Sequence, residues 1–303
     1  MSRRSQLFII AVALTAVFSC QSQQMESSDP SEVEAMVDQE PGSKLAHLLA
    51  EGQAVFGMFA RPQNAEGGRV AAANDETDFI FYSLESGPWD IPTMASFMTA
   101  MAEASDEKEP HPVTLRIPPI REDREAALTH ISEGIAAGVE GVVFPHVESV
   151  QDAELAVSSM GSRLWPSNPS GDLINILLIE DQVGIAAARE IIGTPGVSVA
   201  IPGPGDLRRA YEGDMQAVEA AIQTVLAACK EFDVACGITA GVDDIAERLA
   251  QGFKLIIVNQ PEALLVGLEE AGRGGGARDC DGKPIRIQAD RSERCSMHDC
   301  GLL

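Results

Sequence analysis

Eight short apolar runs recur along this chain, each four to six residues long and rich in Val, Ile, Leu and Phe. They are Val55–Phe59, Phe79–Leu84, Val113–Ile117, Gly141–Phe144, Ile176–Ile179, Val197–Ile201, Val234–Ile238 and Leu255–Val258. Runs of this length, bounded by turn-forming residues, read as buried strands. Helix-like segments stand between most of them. Arg121–Ala137 sets Ala127, Leu128, Ile131 and Ile135 on one face, and Met215–Phe232 is a second amphipathic stretch. Ahead of the first run, Leu45, Leu48 and Leu49 share a helical face, and Gly52 stops that helix. Alternation of strand and helix calls for parallel strands joined by right-handed crossovers. Eight such units within about 230 residues favour closure into a single (β/α)8 TIM barrel of the α/β class. A doubly wound sheet is the structural alternative. With 45% apolar residues but only 5% aromatics, the core must be built from small aliphatic contacts, which suits parallel strands under helices.

The two ends of the chain differ from this middle. Arg3 and Arg4 precede the apolar stretch Leu7–Phe18, too short to span a bilayer and suited to the core of a signal peptide, so residues 1–20 are expected to be a targeting signal. Val17-Phe18-Ser19-Cys20 resembles a bacterial lipobox, which makes Cys20 the expected lipidation site; ordinary cleavage with Cys20 unmodified is the alternative. Residues 21–42 are Gln-, Ser- and Glu-rich with few large apolar side chains, and are expected to be an acidic disordered tether. The barrel is expected over residues 43–271, followed by a tail at 272–303. That tail carries Cys280, Cys295, His298 and Cys300, a set suited to a disulfide in an oxidising compartment or to zinc held by three thiolates and an imidazole. Cys229 and Cys236 read as buried apolar residues of the barrel. The expected location is the cell envelope, with membrane contact only through the lipid anchor.

Charge excludes some partners. With 46 acidic against 22 basic residues, the formal charge of −24 opposes binding to nucleic-acid phosphates or anionic lipid. A P-loop, a zinc-protease helix, a nucleophile elbow and a dinucleotide fingerprint are all missing from the sequence.

In a barrel, chemistry is done by residues at the C-terminal ends of strands. The second run delivers Glu85 there, the third Arg116, the fourth His146 and Glu148, the fifth Glu180 and Asp181, and the sixth Asp206. Acidic residues on neighbouring strands, with a cation opposite, suit a hard divalent ion and an anionic oxygen ligand.

At these positions the sequence resembles the HpcH/HpaI aldolases and their citrate lyase β-subunit relatives. The resemblance is carried by Phe56-Gly57-Met58-Phe59, Ser83-Leu84-Glu85-Ser86-Gly87-Pro88, Leu115-Arg116-Ile117-Pro118, the segment Gly141–Ser149, Ile179-Glu180-Asp181 and Gly203-Pro204-Gly205-Asp206-Leu207. It implies a barrel of the phosphoenolpyruvate/pyruvate-binding type and a divalent metal (Mg²⁺, Mn²⁺ or Co²⁺) held by Glu180 and Asp206. It also implies that Arg116 binds the keto oxygen of a small 2-oxo acid and stabilises its enolate, and that the protein is a homo-oligomer, a hexamer or smaller ring. The Gly203, Gly205 and Asp206 loop precedes a helix-like segment, so its N–H groups are suited to receive the substrate carboxylate. A glycine-rich turn without a ligand is the alternative there.

Two departures bear on catalysis. Aldolase members carry an aspartate two residues before the glutamate of the second motif and a histidine just after it; here Ser83 and Ser86 occupy those places, and Leu178 replaces a glutamine before Glu180. Neither serine shuttles a proton unaided near pH 7. Glu85, Arg116 and His146 are then the candidate catalytic residues, with His146 or a metal-bound water as base; the alternative is that His146 merely caps its strand or packs in the loop. Two functions follow: a metal-dependent carbon–carbon lyase of aldolase type working through a metal-bound enolate, or an exported, non-catalytic barrel that binds a small oxo acid.

Overall fold

A computed structural model of the chain describes residues 40–274. The signal and tether segments up to residue 39, Cys20, and the tail with Cys280, Cys295, His298 and Cys300 lie outside the described residues.

The eight runs form eight parallel strands that close on themselves in sequence order, β1(Val55–Phe59), β2(Phe79–Ser83), β3(Val113–Arg116), β4(Gly141–Phe144), β5(Ile174–Ile179), β6(Val199–Pro202), β7(Ala235–Ala240) and β8(Leu255–Val258), with β8 pairing back to β1. The fold is a (β/α)8 TIM barrel, and the open-sheet alternative falls. Around it stand α1(Lys44–Ala50), α2(Ala65–Ala72), α3(Ile91–Ala104), α4(Arg124–Ala136), α5(Val150–Ser158), α6(Gln182–Ala186), α7(Ala188–Ile192), α8(Pro204–Ala210), α9(Met215–Phe232), α10(Ile245–Gln251) and α11(Pro261–Glu270). Among the described residues no helix is long and apolar enough to cross a membrane.

Two apolar layers hold the barrel. Inside it, Val55, Phe79, Phe81, Val143, Ile176, Leu178, Val199, Ile201 and Ile257 pack together, and Leu45, Ala46 and Leu49 of α1 join them, so α1 plugs the N-terminal end. Ser43 caps that helix by accepting from the Ala46 N–H at 3.2 Å, and Gly52 takes a φ of 68° just beyond it. The outer layer lies between strands and helices and includes Phe56, Leu115, Val142, Leu177, Val225 and Ile256. Cys229 on α9 and Cys236 on β7 are both buried, as expected. The outer face of α4 differs from expectation: Ala127, Ile131 and Gly134 are buried, while Leu128 is 48% exposed. At Gly134 an added β-carbon would approach Leu115 Cδ2 to 2.7 Å. The helix therefore rolls its small residues onto β3 and turns Leu128 to solvent. It also starts later than the apolar spacing suggested, because the Asp123 side chain accepts from the Glu125 and Ala126 N–H groups.

One polar lock closes the bottom of the barrel. Asp78, at the start of β2, is buried; its carboxylate accepts from the Phe56 N–H at 2.9 Å and from both Arg273 Nη atoms at 2.6 and 2.7 Å. Arg273 also donates to the Ala54 carbonyl at 2.7 Å, so residues just past α11 are tied to β1 and β2. Arg273→Ala would leave a buried carboxylate without its cation, an expected loss of about 3 kcal/mol of stability. Urea unfolding of the parent and variant measures it; a change under about 1 kcal/mol would show that solvent already screens the pair.

Candidate metal and substrate site

At the C-terminal mouth of the barrel a cavity of about 420 Å³ opens, lined by Arg116, Glu180, Gly203, Gly205 and Asp206 among others. A larger hollow of about 510 Å³ lies at the opposite end. Its cations are engaged, Lys254 Nζ with the Gly52 carbonyl and Arg273 with Asp78, so the mouth is the site of chemical interest.

Arg116 ends β3, and its register partner on β2 is Ser83. That register sets the side chain: Arg116 Nε donates to Ser83 Oγ at 2.9 Å, and Nη2 pairs with Glu85 Oε2 at 3.0 Å. The guanidinium carbon also sits 5.4 Å from the centroid of the Phe81 ring. Ser83 therefore aims the arginine. The arginine is a forked cation held on two sides and presented to the cavity.

Glu180 follows β5 directly and is 2% exposed. Its Oε1 accepts the His146 N–H at 3.1 Å. Burial first, and the nearby charge of Asp206 second, push the Glu180 carboxyl up to about 8. Gly203 is what lets the next loop pass so close: a β-carbon there would collide with Glu180 Oε2. Asp206 stands in the first turn of α8, half-buried, in an ion pair with Arg209 one turn on. Gly205 has open space around it, and among the described residues no side chain caps α8.

His146 follows β4 with a φ of 51°, a left-handed backbone that few non-glycine residues adopt. Its Nδ1 lies 3.8 Å from Glu180 Oε1 and 3.5 Å from Asp181 Oδ2, yet this buried nitrogen has no hydrogen-bond partner among the described residues. Asp181 caps α6 through Oδ1 on the Gly184 N–H at 2.8 Å, and its Oδ2 is 3.4 Å from Arg121 Nη1. Arg121 also pairs with Glu148, which completes a charged rim beside the cavity.

Ligand atoms of Glu85, His146 and Glu180 all lie within 4.8 Å of one another. A buried carboxylate crowded by like charge, next to an orphaned imidazole nitrogen, fits a divalent cation: the ion would relieve the first and partner the second. Of the residues read from the sequence, the structure thus groups Glu85, Arg116, His146 and Glu180 at one mouth. Asp206 lines the same cavity but is paired with Arg209 and stands outside the tight three-residue group.

The segment over residues 56–259 matches the family model described as HpcH/HpaI aldolase/citrate lyase. The chain belongs to this family. A hydroxypyruvate/pyruvate aldolase of Delftia acidovorans is 27% identical over 258 residues, covering 74% of this chain and 89% of that one. A family member from Burkholderia cenocepacia aligns in structure with a TM-score of 0.62 at 23% identity, covering 74% of this chain and 95% of its own. The citrate lyase β subunit of M. tuberculosis, solved with oxaloacetate and magnesium, aligns at 0.54 and 18% identity, covering 72% and 97%. These structures establish the shared barrel.

Some residues at the mouth went unread in the sequence. Thr239, at the end of β7, and Asn259, just past β8, line the cavity opposite Arg116; polar residues at strand ends were the available signal. Arg209 is the other, and its spacing of three from Asp206 on a helix was legible.

Proposed function

We propose that this protein is a divalent-metal-dependent carbon–carbon lyase of aldolase type acting on a small 2-oxo acid. The observation that carries the reading is the pairing, in one cavity, of the buried Glu180 carboxyl with the presented guanidinium of Arg116. Glu180 would hold the ion, with Asp206 beside it, and the ion would supply Lewis-acid polarisation of the keto group.

The chain's own residues do the rest. The N–H groups of Gly205 and Asp206 at the start of α8, which no side chain caps among the described residues, receive the substrate carboxylate. In the cleavage direction the bond between C3 and C4 breaks, its electron pair moves into the keto group as an enolate, and the C4 hydroxyl gives up its proton as the aldehyde leaves. Arg116 opposes the charge that grows on the keto oxygen. Protonation of the enolate at C3 then releases the shortened 2-oxo acid. Ser83 is occupied by Arg116, so the proton is taken by His146 or by water.

The similarity to a hydroxypyruvate/pyruvate aldolase and to a citrate lyase subunit that binds oxaloacetate and magnesium supports this substrate class. The engaged Ser83 is also the observation that favours the second reading, a barrel that binds an oxo acid without turnover. Purified protein with Mg²⁺, Mn²⁺ or Co²⁺ should release pyruvate from a 4-hydroxy-2-oxo acid or decarboxylate oxaloacetate. Binding of the acid without product from either substrate would favour the non-catalytic barrel.

A further inference from the structure

We propose that His146 Nδ1 is a ligand of the ion, together with Glu180 and Glu85, and that the site therefore selects a nitrogen-accepting transition-metal dication over Mg²⁺. This rests on the metal-dependent reading above.

Geometry supplies the first argument. The left-handed backbone at His146 turns both its N–H and its ring nitrogen toward Glu180 Oε1, at 3.1 and 3.8 Å. Strained backbone of this kind persists where the surroundings demand it. Nδ1 itself is buried without a partner among the described residues. Asp181 Oδ2 is nearer, at 3.5 Å, but that oxygen already faces Arg121, and the other accepts the Gly184 N–H. The nitrogen thus lies between two carboxylates, with a hydrogen bond to neither. On the far side, Glu85 pairs its Oε2 with Arg116 at 3.0 Å, and its carboxylate lies within 4.8 Å of the ligand atoms of His146 and Glu180.

Charge and burial supply the second. Glu180 is 2% exposed, yet among the described residues its one hydrogen-bond donor is a neutral backbone N–H. A carboxyl so far from water is held in its ionised form at neutral pH by a cation close by. Two carboxylates and one imidazole make a mixed oxygen and nitrogen donor set. Mg²⁺ prefers oxygen at near-ideal octahedral geometry and keeps its waters, whereas imidazole suits Co²⁺, Ni²⁺ and Zn²⁺, and affinity rises from Mn²⁺ toward those ions. A ligand nitrogen is not free to take a proton, so water then takes the proton of the C4 hydroxyl.

The test is calorimetric titration of the metal-stripped full chain with Mg²⁺ and Co²⁺, in the parent, His146→Asn and Glu180→Gln. Asparagine tolerates the left-handed backbone, so the loop keeps its path. Co²⁺ is expected to bind about tenfold or more tightly than Mg²⁺ in the parent. His146→Asn is expected to lose about 10- to 100-fold in Co²⁺ affinity, with Mg²⁺ affinity changed by about threefold or less. The Co²⁺-loaded parent should also show a hyperfine-shifted, exchangeable imidazole N–H proton that is missing from His146→Asn. Loss of binding in Glu180→Gln with parental Co²⁺ affinity in His146→Asn would overturn the histidine ligand and leave the metal-dependent reading standing. Parental affinity in both variants would overturn both.

Discussion

Glu180→Gln is expected to weaken divalent-ion binding by about a hundredfold or more and to remove lyase turnover with it. Loss of an outer partner of a metal ligand costs 10- to 100-fold, and the ligand itself should cost at least as much. Glutamine keeps the volume and keeps an oxygen for the His146 N–H, but it removes an ionisable carboxyl that is only 2% exposed at the mouth. The variant also separates binding from folding. Burial and the Asp206 charge raise the Glu180 carboxyl from 4.5 to about 8. A carboxyl raised in the folded state favours folding while it is protonated, and that contribution is lost as pH climbs from 4.5 through 8. At neutral pH and above, the metal-free glutamine variant should therefore melt no lower than the metal-free parent. Retained parental affinity for Mn²⁺ or Co²⁺ would remove Glu180 from the site.

Arg116→Lys is expected to lower turnover by about a hundredfold or more while changing metal affinity about threefold or less. The arginine is held by Ser83 at 2.9 Å, by Glu85 at 3.0 Å and against the Phe81 ring at 5.4 Å. A lysine is a point charge on a flexible stem and reproduces neither the fork nor the stacking. If Arg116 stabilises charge that exists only after the bond begins to break, the loss should fall on kcat and only weakly on KM. Equal losses in substrate affinity and turnover efficiency, with kcat intact, would make it a binding residue only. Ser83→Ala offers a smaller effect of the same kind, since it frees Nε without removing the charge.

Most of the barrel was legible because each strand is a compact apolar run between turn signals. β1, β4 and β8 coincide with their runs, and the others differ by a few residues at their ends. The misjudged places are those where a polar contact outranks periodicity. Arg121 fits the helical pattern of α4 in sequence, yet it leaves that helix to pair with Glu148 and Asp181. Leu128 fits the apolar face, yet Gly134 sets how the helix rolls against β3.

The site was legible as a set of strand-end residues but not as a set of contacts. Glu85, Arg116, His146 and Glu180 share a mouth because each follows a strand of one parallel barrel. Ser83 reads as a lost acid–base residue until the β2–β3 register places it opposite Arg116. The left-handed turn at His146 has no local signature, because it depends on Glu180 accepting its N–H from 34 residues away. Long-range register and a strained backbone are what a linear pattern cannot display.

The central claim is that this mouth generates a 2-oxo acid enolate, and exchange of the pyruvate methyl protons with deuterated solvent tests it most directly. The reaction needs the ion, Arg116 and a base, and no aldehyde has to be known. Metal-loaded parent protein should exchange the methyl protons measurably by proton NMR, chelator should stop it, and Arg116→Lys should slow it by about a hundredfold. Protein that binds the ion and pyruvate but exchanges no protons would contradict the account and leave a barrel that binds oxo acids without chemistry.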